Sequence, residues 1–146
     1  CNFKKTFYFF HNNIFLANHN PRAKKKTFYL NNYGKHVRDF SYIDHIVDGI
    51  YVVSKNKLKK NVKLSNFEIF NLANGNPLTL GYFINIIEKK LKTVAKKKYL
   101  KLQDGDVKKT YADTRKFTRC YGLKNKVNIN SGISKFVSWY KSYYNR

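Results

Sequence analysis

The sequence predicts an α/β chain in which short strands alternate with helices. Three observations carry that expectation. Apolar residues recur at helical spacing in several separate segments, among them Leu80, Phe83, Ile84, Ile87 and Leu91. Short extended runs such as Thr27–Leu30 and Phe67–Leu72 lie between those segments. Turn residues such as Asn31-Asn32-Tyr33-Gly34 and Asn74-Gly75 punctuate the boundaries.

Each element follows in order. Residues 1–26 mix aromatic residues and Asn without a clear period and stay unassigned. Thr27–Leu30 reads as a strand, and Val37–Ile43 as a second extended segment. Asp44 can cap a helix over 44–55, where Ile43, Ile46, Val47, Ile50 and Val53 share a face. Phe67–Leu72 alternates with apolar residues on both sides and is expected to be a buried strand. The helix after Pro77 carries Lys89, Lys90 and Lys92 at its end, where cations suit the helix dipole. Tyr99–Leu102 reads as a short strand, and Gln103-Asp104-Gly105-Asp106 as a tight polar loop. Asp113 can cap a helix over 114–120 that stops at Gly122. The last helix, about 129–144, places Ile129, Ile133, Phe136, Val137, Tyr140 and Tyr144 on one face.

Composition excludes several classes. At 42% hydrophobic and 17% aromatic residues, the chain is too apolar for a disordered protein. No apolar run reaches the roughly eighteen residues of a membrane span. Cys1 and Cys120 are too few and too far apart for a disulfide framework or a zinc site, and read as free thiols of a reducing compartment. The chain starts at Cys1 and contains no Met, which reads as a fragment or a trimmed chain without a signal peptide.

Thirty Lys+Arg against eight Asp+Glu give a net charge of +22. Nucleic-acid binding, attachment to an anionic membrane surface and plain compositional bias all compete to explain it. Residue choice favours bias: the chain holds 25 Lys, 18 Asn and only 5 Arg, whereas phosphate and base recognition favours the planar Arg fork. The clusters Lys24–Lys26, Lys57–Lys60 and Lys96–Lys98 are expected to be solvated loops or helix ends.

Catalytic machinery is sparse. His11, His19, His36 and His45 have no metal-ligand spacing and read as structural or surface residues. Gly34 and Gly75 are isolated, so no Gly-rich dinucleotide turn is present. Tyr51 and Lys55 form Tyr-x-x-x-Lys, a two-residue match expected by chance in a Lys- and Tyr-rich chain. Two polar clusters carry more. Arg38-Asp39 sits among apolar residues, where the guanidinium needs Asp39, another carboxylate, or a phosphate as partner. Gln103–Asp106 offers an amide and carboxylates that can accept sugar hydroxyls.

In combination these segments resemble a known family. Arg38-Asp39-Phe40-Ser41-Tyr42-Ile43-Asp44 is similar to the Arg-Asp-Phe-x-Tyr-Ile-Asp segment of extended short-chain dehydrogenases/reductases. Asn71-Leu72-Ala73-Asn74-Gly75-Asn76-Pro77 resembles their Asn-Ile-Gly-x-x-x-Pro turn. Gln103-Asp104-Gly105-Asp106-Val107 and Thr110-Tyr111-Ala112-Asp113 look like Gln-Pro-Gly-Asp-Val and Thr-Tyr-Ala-Asp. The motifs run in order over about 27–145, with Gly132-Ile133 and Trp139-Tyr140 in the closing helix. The nearest likeness is to UDP-glucuronate 4-epimerases and related nucleotide-sugar epimerases.

The resemblance implies the C-terminal substrate-binding portion of an extended Rossmann-type epimerase, with residues 27–146 as a nucleotide-sugar domain. It implies an isomerase that uses NAD, a UDP-sugar substrate, a cytoplasmic location, and a homodimer as the full-length enzyme. The NAD-binding domain and the catalytic residues are expected upstream of this chain, leaving it inactive alone. Carried over by position, Arg38 faces the diphosphate, Asp106 accepts from the nucleotide ribose, and Gln103 sits beside it. Asp104 stands where the family has Pro, and His45 where it has a second Asp. The alternative reading is a small basic nucleic-acid-binding domain.

Overall fold

The structure, a computed structural model, describes residues 27–55, 59, 63, 65–123 and 127–143. Cys1, residues 1–26 with the Lys24–Lys26 cluster, most of Lys57–Lys60, and Tyr144 lie outside the described residues. In chain order the elements are β1 (Phe28–Leu30), β2 (Val37–Arg38), α1 (Ile43–Ser54), β3 (Leu78–Thr79), α2 (Leu80–Leu91), β4 (Lys97–Tyr99), α3 (Arg115–Tyr121) and α4 (Ile129–Tyr143). Short strands thus alternate with helices, as expected.

The chain divides into two compact units. Of the described residues, those up to His36, Thr79–Lys108 and those from Ile133 onward form the first. Val37–Leu78 and Lys109–Gly132 form the second.

In the first unit, β1 and β4 pair in parallel with Phe28 opposite Lys97 and Leu30 opposite Tyr99. Phe28 and Leu30 are buried and Tyr29 is exposed, the period-two alternation of a half-buried strand. The chain then turns sharply at Asn31–Gly34, where Asn32 and Tyr33 take positive φ. Their N–H groups donate to the carbonyls of Lys101 and Leu100, so the turn continues the β1–β4 pairing. Thr79 caps α2 by accepting from the Tyr82 N–H, and Lys92 closes it in the left-handed conformation. Leu30, Ile84 and Ile87 are the most fully buried large side chains, with Phe28, Ile86, Ile133, Val137 and Tyr140 completing the core of this unit. Ile84 and Ile87 of the face read for α2, and Ile133, Val137 and Tyr140 of the face read for α4, are therefore buried.

One expectation fails here. Lys96–Lys98 is no solvated loop: Lys97 and Lys98 lie in β4. The pairing with β1 supplies the backbone partners, and Lys97 finds Glu88 at 2.6 Å. A lysine run carries no extended-strand signal of its own, because the partner strand is remote in sequence.

In the second unit, Val37 of β2 bridges in parallel to Lys109. The helix α1 starts at Ile43 with Tyr42 at the cap position, so Asp44 falls in its first turn rather than capping it. A carboxylate in that turn still favours the helix through its dipole. Asp113 does serve α3, accepting from the Arg115 N–H at 3.0 Å, and Gly122 ends that helix with φ of 74°.

Phe67–Leu72 departs from expectation. It lies in no strand ladder among the described residues. Its two sides nevertheless differ as an extended chain requires. Phe70 packs edge-on against Phe117 and Tyr121 at ring distances of 5.9 and 5.4 Å. Leu72 lies against α1 at Gly49, where any Cβ would fall 2.1 Å from a Leu72 methyl. That is why a glycine occupies the middle of α1 despite its helix cost. Phe67 and Ile69, on the opposite side, are 79% and 70% exposed, so the expected two-sided burial is not found. Alternating apolar residues report that both sides can be buried, not that both are.

Glu68, on the packed side, pairs with Lys116 and accepts from both the N–H and the hydroxyl of Ser65. The Lys116 ammonium, then Ser65, hold the Glu68 carboxyl at about 2, below its usual 4.5. Because the folded value is the lower one, the stabilisation is present above pH 4.5 and is lost as pH falls toward about 2. Lys116→Met is expected to return the Glu68 titration toward 4.5 in NMR. The stability gap between wild type and this variant should be largest at neutral pH and close under acid. A Glu68 titration unmoved by the substitution would contradict this.

Candidate functional site

The Gln103–Asp106 loop belongs to the first unit. Leu100–Leu102 continue from β4, and the chain then reverses through Asp104-Gly105, with the Asp106 N–H donating to the Gln103 carbonyl at 3.2 Å. Gly105 takes φ of 75° with open space around it, so backbone conformation rather than packing asks for glycine here.

Both polar ends of the loop meet the segment that follows β1. The Asn31 amide donates to Gln103 Oε1 at 2.9 Å. His36 Nε2 lies 3.1 Å from Asp106 Oδ2. The His36 side chain is buried while that of Asp106 is 33% exposed. Gln103 itself is exposed. Two of the three residues singled out from the sequence are thus on one loop. The sequence reads His36 as a structural or surface residue; a lone histidine in Gly-Lys-His-Val-Arg carries no signal that it will meet Asp106.

Arg38, the third, belongs to the second unit. It is half-buried on β2, and its Nη1 donates to the Val37 carbonyl at 2.9 Å. Asp39 accepts instead from the Gly75 N–H at 3.0 Å, and the Ser41 hydroxyl accepts from the Asn74 N–H at 2.9 Å. Asn71 donates to the Asp113 carbonyl at 3.3 Å. Three of the sequence motifs that carried the resemblance are therefore fastened to one another: Arg38–Asp44, Asn71–Pro77 and Thr110–Asp113. Their polar residues hold backbone groups of neighbouring loops, a role that fixes residue type as firmly as chemistry does.

Other groups fall outside this picture. Among the described residues, no cluster of three His, Cys, Asp or Glu could hold a metal ion. Cys120 is a buried free thiol. Lys55 Nζ lies 6.0 Å from the Tyr51 ring centre, and Tyr51 is exposed on α1. No described helix is long and apolar enough to cross a membrane.

No protein-family model matches the sequence. Individual relatives do. An uncharacterized protein of Methanocaldococcus jannaschii is 48% identical over 109 residues, which are 75% of this chain and 31% of that protein. UDP-glucuronate 4-epimerase 4 of Arabidopsis thaliana is 36% identical over 120 residues, 77% of this chain and 28% of the enzyme. A crystal structure of UDP-glucuronic acid 4-epimerase from Bacillus cereus, solved with NAD and a fluorinated UDP-glucuronic acid, superposes with a TM-score of 0.68 at 26% identity. It is matched over 82% of this chain and 36% of its own.

The chain is kin to the nucleotide-sugar epimerases. It spans about a third of the length of the relatives it matches, and corresponds to the C-terminal part of the solved Rossmann-type enzymes. Among the described residues of this chain there is no Gly-rich strand–turn–helix of the dinucleotide-binding kind. At the direct junction of β3 into α2, a Cβ on Gly81 would lie 3.4 Å from the Gly34 carbonyl oxygen. Without a Gly-rich turn, the described residues do not fit the pyrophosphate of NAD.

Proposed function

We propose that this chain is the substrate-binding part of an NAD-dependent nucleotide-sugar epimerase of the UDP-hexuronate or UDP-hexose 4-epimerase type. Residues 27–146 bind the UDP moiety, Arg38 pairing with the diphosphate, Asp106 accepting from ribose hydroxyls and Gln103 lying beside it. The cofactor and the groups that move hydride and proton come from the N-terminal portion that the relatives have and this chain does not match. The chain by itself does not turn over. The whole enzyme is a cytoplasmic homodimer. The observation that carries this reading is the 36% identity to UDP-glucuronate 4-epimerase across 120 residues that contain all three residues.

The chemistry of the side chains supports those roles. A guanidinium binds adjacent phosphate oxygens through two parallel N–H donors, and a carboxylate is acceptor-only, suited to hydroxyls. Calorimetry with UDP tests the reading. Wild type should bind UDP, and Arg38→Ala should weaken it by about 1.5–3 kcal/mol, the usual range for a hydrogen bond to a charged group. An absence of UDP binding, together with oligonucleotide binding that falls steeply with salt and ignores Arg38, would replace this reading with a basic nucleic-acid-binding one.

A further inference from the structure

We propose that His36 is a positioning residue, which holds the Asp106 carboxylate in the orientation that receives the ribose hydroxyls of a bound nucleoside diphosphate. The inference rests on the nucleotide-site reading above and adds a residue to it.

His36 is 4% exposed, and its backbone is pinned on one side by the Asn31–Gly34 turn and on the other by its carbonyl, which accepts from the Leu80 N–H at 2.8 Å. The imidazole has little freedom to leave. Its buried Nε2 has no in-line hydrogen-bond partner among the described residues, yet Asp106 Oδ2 is 3.1 Å away. A buried ring nitrogen without a partner is costly, so the arrangement favours a small rotation that brings Oδ2 onto the Nε2–H axis. Asp106 is the more exposed member of the pair, its side chain 33% exposed against 5% for that of His36.

The consequence for a ligand is preorganisation. With one oxygen drawn to His36, the carboxylate plane is set before the nucleotide arrives, and less side-chain freedom is lost on binding. Asn31 acts in parallel on Gln103, so the loop is held at both ends by the segment Asn31–His36. His36 touches no substrate in this scheme and acts only through Asp106.

The test is binding of UDP and of 2′,3′-dideoxyuridine 5′-diphosphate, which lacks the ribose hydroxyls, by the 146-residue chain and its variants. His36→Leu should weaken UDP binding about tenfold and leave the dideoxy analogue unchanged. His36→Gln, whose amide reaches the Nε2 position, should restore UDP affinity to within about threefold, whereas His36→Asn, which reaches only Nδ1, should not. In an Asp106→Asn background, His36→Leu should add no further loss. Should His36→Leu fail to fold, the Gln and Asn variants decide the matter: equal UDP affinity in both overturns the role. So does a loss of UDP and dideoxy binding in equal measure, the mark of a merely structural residue. If wild type binds neither ligand, the nucleotide-site reading itself falls and this inference with it. If wild type prefers UDP and Asp106→Asn removes the preference while His36→Leu keeps it, only the role of His36 falls.

Discussion

Glu88→Ala is expected to lower the unfolding free energy by about 3–5 kcal/mol, measured by urea denaturation at neutral pH. Glu88 is buried in the last turn of α2, where a negative charge opposes the helix dipole. It is tolerated because its carboxylate is satisfied on both oxygens. Oε2 meets the Lys97 ammonium at 2.6 Å, and Oε1 accepts from the Ala95 N–H at 2.7 Å. Its carbonyl also receives the Thr93 N–H, so this one residue organises the connection from α2 to β4. Truncation leaves the largely buried Lys97 cation and the Ala95 N–H without their partner, and that penalty dominates. Replacing both members, as Glu88→Met with Lys97→Met, should recover most of the loss, because no buried charge is then left over. A single-variant loss under about 1 kcal/mol would show the pair to be open to water.

Ile84→Ala is expected to cost about 2–5 kcal/mol by the same measurement. Ile84 is 0% exposed and stands with Leu30 and Ile87 at the centre of the first unit. The loss combines the transfer free energy of the deleted methylene and methyl groups with that of the cavity left behind. Val94→Ala, at a position 72% exposed, is the control and should stay within about 0.5 kcal/mol of wild type. With total stabilities of about 5–15 kcal/mol for domains in general, either core change removes a large fraction. Equal effects at Ile84 and Val94 would mean that the core of the first unit is not packed.

The second unit is built differently. Among the described residues its buried apolar side chains are Phe117 and Cys120, while Ile43, Val47, Ile50, Phe67 and Ile69 are exposed. Ile43, Val47 and Ile50 are spaced to share one side of α1. Exposed apolar surface of this kind favours association.

The helices were legible from the sequence. Ile84 and Ile87 in α2, and Ile133, Val137 and Tyr140 in α4, recur every three or four residues, and that spacing can bury only one way. Gly122 ended α3 where a left-handed residue was expected. The motifs that hold Arg38, Gln103 and Asp106 could be ordered from the sequence because each is a short contiguous run, Arg38 falling on β2 and the other two on one loop. Periodicity, turn chemistry and motif order are properties of neighbours along the chain, and these the sequence determined by itself.

Tertiary structure alone decided the rest. Lys97 and Lys98 became a strand because β1 offered backbone partners from far upstream. Asp39 was drawn to the Gly75 N–H, although it adjoins Arg38 in sequence. His36 acquired meaning only when the chain brought it beside Asp106. Each of these outcomes depends on which distant groups share one low-dielectric interior, where an unmet hydrogen bond or charge costs most. A linear pattern of residue types does not encode that distance.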